Sequence, residues 1–304
     1  MRGTYSLAAL AKRGGHKRAR TALSPIASRK SDREALRRII VSVVDGGADE
    51  RERLLRLANA AQVGITQDDI GLDGGIRDFR ASQQSRLGRA TLAIQGWVNK
   101  VASRFDLRWV QAVKSALGVD ISPLVHAGDL QTVLGLVTQK LTTHISGLAS
   151  DVANRIEAGL IDLITKGAST KAKAAVMVEA VAKARRAAEA TAKRETETFN
   201  AVLNQFRQTQ AGITQYEWWT RQDERVRGRP GGLYPKARPS HWARQGRIFS
   251  WSTPPEDGHP GEAHGCRCVA RPVVTMAPAK PMPDPNRARL AGLRAVAGEF
   301  GLSL

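Results

Sequence analysis

Apolar residues recur three and four positions apart along most of the first two thirds of the chain, which is the spacing of one helical face. After a capping pattern at residues 31–34, the apolar positions are Leu36, Ile39, Ile40 and Val43. The same periodicity predicts helices over 31–44, 52–61, 83–117 (as one or two helices), 130–148, 152–164 and 171–206. Residues 62–80 are rich in Gly and Asp and predict a loop.

The pattern changes near Gln210, where four tryptophans and many Gly and Pro residues follow. Short runs with strand character occupy 216–220, 247–251 and 267–274. The sequence therefore predicts an α+β, mainly α protein with a helical domain over 31–208 and a small mixed module over 209–274. Residues 275–304 predict a Pro-rich linker followed by an amphipathic tail helix at 287–300.

The amino-terminal segment carries basic residues and no acidic ones. The 304 residues include 47 Lys and Arg against 28 Asp and Glu, a net charge of +19 with His neutral. Residues 1–30 hold basic side chains and no acid, which predicts a flexible basic arm that contacts nucleic-acid phosphates without sequence specificity. The candidate contacts are Arg13, Lys17, Arg18 and Arg20. The alternative is a disordered tail whose charge only maintains solubility.

Several classes of protein are disfavoured by composition. No apolar run approaches the about 20 residues that a bilayer-spanning helix needs. The two cysteines, Cys266 and Cys268, are two positions apart, where a disulfide would be strained, so a disulfide-stabilised secreted protein is excluded. A soluble, basic protein that is made in the cytoplasm, with no membrane contact, is the expectation.

An ordered series of short motifs stands in the last third of the chain, between residues 188 and 274. It comprises a W-x-T, a D-x-R-V-R, a downstream His, a P-P pair and a C-R-C followed by Pro. The residues that carry it are Trp218, Thr220, Asp223, Arg225, Arg227, His241, Pro255, Cys266, Arg267 and Cys268. Together these motifs resemble the phage Mu F-like head morphogenesis family, the minor head proteins of tailed phages.

The resemblance implies a structural role rather than catalysis. It implies a minor capsid protein that acts at or near the portal during procapsid assembly, with portal and major capsid or scaffold proteins as partners. It also implies a place in the virion, in the head interior or at the portal vertex, after assembly in the host cytoplasm. A basic, mostly helical protein would suit a surface that faces packaged double-stranded DNA, where phosphate contacts position rather than specify.

The C-terminal module also contains residue types that bind metal. Residues i and i+2 of a strand face the same side, so the two cysteines would point together, and two thiolates with two imidazoles could complete a zinc site. The predicted ligands are His241, His259, Cys266 and Cys268. The alternative is that the cysteines are small core residues, because C-x-C is not the usual zinc-knuckle spacing.

Two further hypotheses concern function. Asp223, His241 and a cysteine could converge into the site of a metal-assisted nuclease or a toxin-like enzyme, although the chain has no recognisable catalytic motif. The other is a non-specific DNA-binding protein that uses residues 1–30. If the module is structural instead, Asp223 with Arg225 and Arg227 would form an ion-pair network and the tryptophans would fill a small core.

Overall fold

The computed structural model describes residues 4–60 and 71–276. The predicted Pro-rich linker and tail helix lie almost entirely outside these described residues. The described residues form an α+β, mainly α fold, as the sequence predicts. Among them, no helix combines the length and the apolar run that crossing a membrane requires.

Six α-helices and four strands make up the described fold, together with three short 3-10 turns. The helices are α1 (Leu7–Arg13), α2 (Lys30–Val44), α3 (Ala48–Ala60), α4 (Leu72–Leu117), α5 (Gln131–Thr165) and α6 (Thr170–Gln210). The strands are β1 (Arg20–Ala22), β2 (Gln215–Trp219), β3 (Ile248–Ser250) and β4 (Val269–Thr275). The 3-10 turns are Ser122–Leu124, Ala127–Leu130 and Trp242–Arg244.

Two of the predicted helix boundaries are wrong. Residues 72–80, which were predicted to lie in a loop, belong to α4, because Leu72, Ile76 and Phe79 continue its buried stripe toward its amino end. The rest of that predicted loop, residues 62–70, lies outside the described residues. The separate helices predicted over 130–148 and 152–164 are a single helix, α5. Ala149 and Val152 lie on its buried face and carry the apolar stripe across the expected break.

The chain divides into two compact units. One unit, here called the helical unit, comprises Lys30–Trp97 and Thr138–Lys193. Within it, the Trp97 indole donates to the carbonyl of Asp32 at 2.8 Å, and the buried Lys173 ammonium donates to the carbonyl of Ala58 at 2.7 Å. The other unit, here called the sheet unit, comprises Met1–Arg29, Val98–Val137 and Arg194–Leu304. The module predicted over 209–274 therefore shares its unit with parts of α4, α5 and α6.

The four strands form one antiparallel sheet in the order β1-β4-β2-β3. In the register of β4 with β2, Ala270 is opposite Trp218 and Pro272 is opposite Tyr216. The three predicted C-terminal strands are thus confirmed, and they are neighbours in the sheet.

The flexible arm predicted over 1–30 is wrong for residues 4–29. Strand β1 pairs with β4, with Thr21 opposite Val274, and α1 begins at the N-cap Ser6, whose side chain accepts from the Ala9 amide. The apolar residues between the basic ones are buried, namely Leu7, Ala11, Leu23 and Ile26. Burial of these side chains favours an ordered segment, while the basic side chains remain on its surface.

One face of helix α6 forms hydrogen bonds with both the N-terminal segment and the sheet. Asn200 and Asn204 both donate to the carbonyl of Ile26, at 2.9 and 3.0 Å. One turn further on, the Gln208 amide donates to the carbonyl of Ala270 in β4 at 2.9 Å. These bonds satisfy backbone groups that would otherwise be buried without partners, and they fix the strand beside which the candidate site lies.

Candidate functional site

Three potential metal ligands converge at the start of β4. Cys266 and Cys268 lie in the segment just before this strand, and His241 lies directly before the 3-10 turn Trp242–Arg244. The Nδ1 atom of His241 is 3.4 Å from the Cys266 Sγ and 3.7 Å from the Cys268 Sγ. All three ligand atoms lie within 4.8 Å of one another, and the three residues are at most 7% exposed.

The other imidazole nitrogen of His241 is held by Asp257. Its Nε2 is 2.7 Å from Asp257 Oδ2, while Arg244 donates to the second carboxylate oxygen at 2.5 Å. Because a carboxylate only accepts, Nε2 carries the proton in the neutral ring, and the lone pair of Nδ1 faces the two sulfurs. Arg227 adds a more distant positive charge, 3.9 Å from the same carboxylate.

Sequence reasoning missed Asp257. It lies in a polar turn 16 positions after His241, and no spacing pattern connects the two residues. The only signal in the sequence was its position between the Pro254-Pro255 pair and His259, among motif residues of the module. Its role depends on tertiary contacts, which a linear pattern does not show.

The cluster shifts the pKa values of its members in opposite directions. The hydrogen bond from the Cys268 thiol, together with His241, holds the pKa of the Cys266 thiol well below its ordinary value despite burial. The same bond and burial raise the pKa of Cys268. Burial alone would lower the pKa of His241, but Cys266 and Asp257 raise it. The site therefore favours a thiolate at Cys266 and the protonated forms of Cys268 and His241.

His259 lies outside the cluster, so the prediction that it is a fourth metal ligand is wrong. Its Nδ1 is 2.8 Å from the Tyr216 hydroxyl, and its backbone amide donates to Glu262 at 2.6 Å. Its ring also packs beside Trp251, with ring centroids 4.8 Å apart. Burial lowers the pKa of His259, which favours the neutral ring of a core residue. The other histidine of this region, His264, is exposed.

The acidic and basic motif residues form ion pairs, but not the network predicted for them. Asp223 pairs with Arg267 at 2.6 Å and accepts the backbone amide of Arg225 at 3.1 Å. Arg227 instead lies near Asp257 and donates to the carbonyl of His264. Asp223 is also outside the His–Cys–Cys cluster, so the described residues do not assemble the catalytic set of Asp223, His241 and a cysteine.

The remaining motif residues have structural roles in the same region. Trp218 is fully buried in the core that contains both cysteines and Tyr216, and its ring meets the His241 ring edge-on with centroids 5.1 Å apart. The Thr220 hydroxyl and amide both donate to the Gln245 side-chain oxygen at 2.7 Å. The Pro255 carbonyl accepts from the Gly258 amide in the turn that contains Asp257.

The four candidate nucleic-acid contacts lie together on the surface of the sheet unit. Arg13 ends α1, Lys17 and Arg18 lie in the connection to β1, and Arg20 begins this strand. All four side chains are exposed. They are thus available to phosphates, on an ordered segment rather than on a flexible arm.

Comparison with known proteins gives a distant likeness. No family model matches this chain, and no solved structure matches it. The chain is similar to a protein of Haemophilus influenzae (strain Rd) that is named only as an uncharacterized protein, with 25% identity over 194 residues. The matched region is 63% of this chain but only 41% of that relative, so the chain spans less than half of the relative's length.

Proposed function

We propose that this chain is a minor capsid protein of a tailed phage, acting at or near the portal during head morphogenesis. The observation that carries the proposal is the ordered motif series of the last third of the chain, which resembles the phage Mu F-like family. In the structure, the residues of this series lie in one unit, around one small sheet. Several of them contact each other, namely Asp223 with Arg267 and His241 with both cysteines, as expected for a motif that specifies an architecture.

The burial of Cys266 and His241 favours assembly over catalysis. The arrangement in space of Cys266, His241 and Asp257 is that of a nucleophile, a base and an orienting carboxylate. Cys266 is only 5% exposed, however, and its sulfur already accepts the backbone amides of Gly261 and Cys268. A nucleophile must be open to its substrate, so this geometry is better suited to holding the module together.

The basic surface fits a protein that faces packaged DNA. The net charge of +19 and the exposed side chains of Arg13, Lys17, Arg18 and Arg20 would contact phosphates without reading bases. In this proposal the portal and the major capsid or scaffold proteins are the protein partners. The protein would then reside inside the head or at the portal vertex.

Quantitative peptide mass spectrometry of purified particles tests this function. Procapsids and finished heads from the phage or prophage that encodes the chain would be treated with nuclease and separated by density. We expect peptides of this chain at a low copy number, comparable to that of the portal protein and far below that of the major capsid protein. Absence from both procapsids and heads would overturn the proposal.

A further inference from the structure

We propose that the Nδ1 atom of His241 and the two sulfurs of Cys266 and Cys268 bind one zinc ion, with water as the fourth ligand. The site would stabilise the sheet unit. The proposal does not depend on the phage-head role, because it rests only on the geometry of these three side chains and of the groups around them.

The distances from the histidine nitrogen to the two sulfurs match the N–S edges of a zinc tetrahedron. Zn–S bonds of about 2.3 Å and Zn–N bonds of about 2.0 Å, at tetrahedral angles, place N and S about 3.5 Å apart. The measured separations from His241 Nδ1 are 3.4 Å to Cys266 Sγ and 3.7 Å to Cys268 Sγ. A metal could therefore bind without a large rearrangement of the side chains.

Asp257 supplies the support that metal-bound histidines commonly have. A histidine that binds metal through one nitrogen usually donates its other N–H to a carboxylate, which fixes the ring and its tautomer. His241 Nε2 does so at 2.7 Å, and Arg244 holds the carboxylate from its other side. The lone pair of Nδ1 is thereby directed toward the two sulfurs rather than toward solvent.

Backbone amides are also directed at a sulfur of the cluster. The Gly261 amide lies 3.4 Å from Cys266 Sγ, and the Cys268 amide lies 3.5 Å from it. Gly261 has a φ of +98°, and a Cβ at this position would be 2.7 Å from the Ala201 Cβ. Only glycine therefore fits between α6 and the sulfur, and its amide stabilises the negative charge of a thiolate.

The ligand types select zinc over harder cations. Thiolate sulfur and imidazole nitrogen suit Zn²⁺, whereas Mg²⁺ and Ca²⁺ prefer oxygen ligands. Two thiolates balance the charge of a divalent ion, which lowers the cost of burying it. The same side chains without metal would form a hydrogen-bonded pair of thiols beside a histidine, and this is the alternative that an experiment must distinguish.

The test uses the purified full-length chain under reducing conditions. After removal of metal with a chelator, the protein would be titrated with Zn²⁺ and, separately, with Co²⁺. We expect one zinc per chain, and with Co²⁺ an absorption in the near ultraviolet from charge transfer between thiolate and metal. Chelation should lower the thermal unfolding midpoint by about 5 °C if zinc had been present at about 100 times its Kd.

Variants separate the assigned ligands from their neighbours. His241→Asn, Cys266→Ser and Cys268→Ser should each abolish the cobalt absorption, and Asp257→Asn should weaken binding about 10- to 100-fold. His264→Asn, an exposed histidine in the same segment, and His259→Gln should retain stoichiometric binding. Loss of binding in a folded His259→Gln protein would overturn the three-ligand assignment.

The wild-type protein gives the decisive result even if a ligand variant fails to fold. A folded wild-type chain that takes up less than stoichiometric zinc and shows no charge-transfer absorption with Co²⁺ would overturn the proposal. The cluster would then be the hydrogen-bonded pair of thiols described above.

Discussion

Arg207 places a positive charge in the interior of the sheet unit, where several acceptors surround it. Its guanidinium is fully buried and donates to both carboxylate oxygens of Asp106, at 2.8 and 2.7 Å. It also donates to the Gln210 side chain at 2.7 Å and to the carbonyl of His126 at 3.1 Å. Burial raises the pKa of Asp106, and Arg207 offsets part of this effect. A buried ion pair of this kind is sensitive to the loss of either partner.

Replacing Arg207 alone should therefore destabilise the sheet unit strongly. We expect Arg207→Met to lower the free energy of unfolding by about 3–5 kcal/mol, because it leaves Asp106 without its counter-charge. Urea unfolding followed by tryptophan fluorescence would measure the change. The exposed Arg225→Met serves as the control and should cost less than about 0.5 kcal/mol. A double variant Asp106→Leu/Arg207→Met should recover part of the lost stability. An Arg207→Met variant whose free energy of unfolding equals that of the wild type would contradict this account.

At the scale of elements, the N-terminal segment is held by side chains from distant parts of the chain. Asn200 and Asn204 of α6 bond the carbonyl of Ile26, and Arg108 of α4 bonds the carbonyl of Ala27 at 2.7 Å. Arg271 of β4 donates to the carbonyl of Leu23 at 2.9 Å. The segment between β1 and α2 has no regular secondary structure, so these bonds satisfy its buried backbone groups in place of a helix or a sheet.

Removing the asparagine donors should loosen this segment without unfolding the rest. In an Asn200→Ala/Asn204→Ala variant the Ile26 carbonyl loses both donors, at a cost of about 1–3 kcal/mol for a buried unsatisfied group. Hydrogen exchange measured by mass spectrometry should show faster exchange in peptides that cover 20–28. The exposed Asn99→Ala on α4 is the matched control and should leave those peptides protected. Unchanged exchange in the double variant would show that these bonds do not hold the segment.

Several elements could be predicted from local pattern, and others could not. Helix α6 and strand β2 carry their own periodicity or aromatic content, so both were predicted close to their observed positions. Strand β1 has the sequence Arg-Thr-Ala, which has no strand pattern, and it forms only because β4 offers an edge. Tertiary contacts likewise decide which parts of the candidate site could be predicted. The Cys266–Cys268 pair is visible in the sequence, whereas Asp257 and the exclusion of His259 depend on contacts in the folded sheet unit.

At the scale of the whole molecule, the net charge of +19 exceeds what solubility alone needs, and part of it is presented on an ordered surface. The basic residues of α1 and its connection to β1 are exposed, while the apolar residues between them are buried. Deleting residues 1–30 would remove β1 and its bonds as well as the charge. A test of DNA contact must therefore substitute these side chains rather than truncate the chain.

Neutralising three basic residues of this surface should weaken DNA binding in a salt-dependent manner. We expect the triple variant Arg13→Gln/Lys17→Gln/Arg18→Gln to reduce the slope of log K against log salt by about 0.9 for each phosphate that the variant no longer neutralises. The matched control Lys100→Gln/Lys236→Gln/Arg238→Gln removes the same charge from other exposed positions. Fluorescence anisotropy with a labelled duplex would measure both. Equal slopes for the two variants would show that the α1–β1 surface is not a specific contact region.

The pairing of β1 with β4 also determines when the protein can finish folding during its synthesis. Arg271 and Leu23, which are joined by a hydrogen bond across this edge, are separated by 248 positions. The ribosome must therefore synthesise residues up to about 275 before the N-terminal strand can pair with β4. The helical unit, whose last residue is Lys193, is complete much earlier. We expect the nascent chain to contain a folded helical unit while residues 4–29 remain unpaired and accessible to chaperones and proteases until β4 has been synthesised.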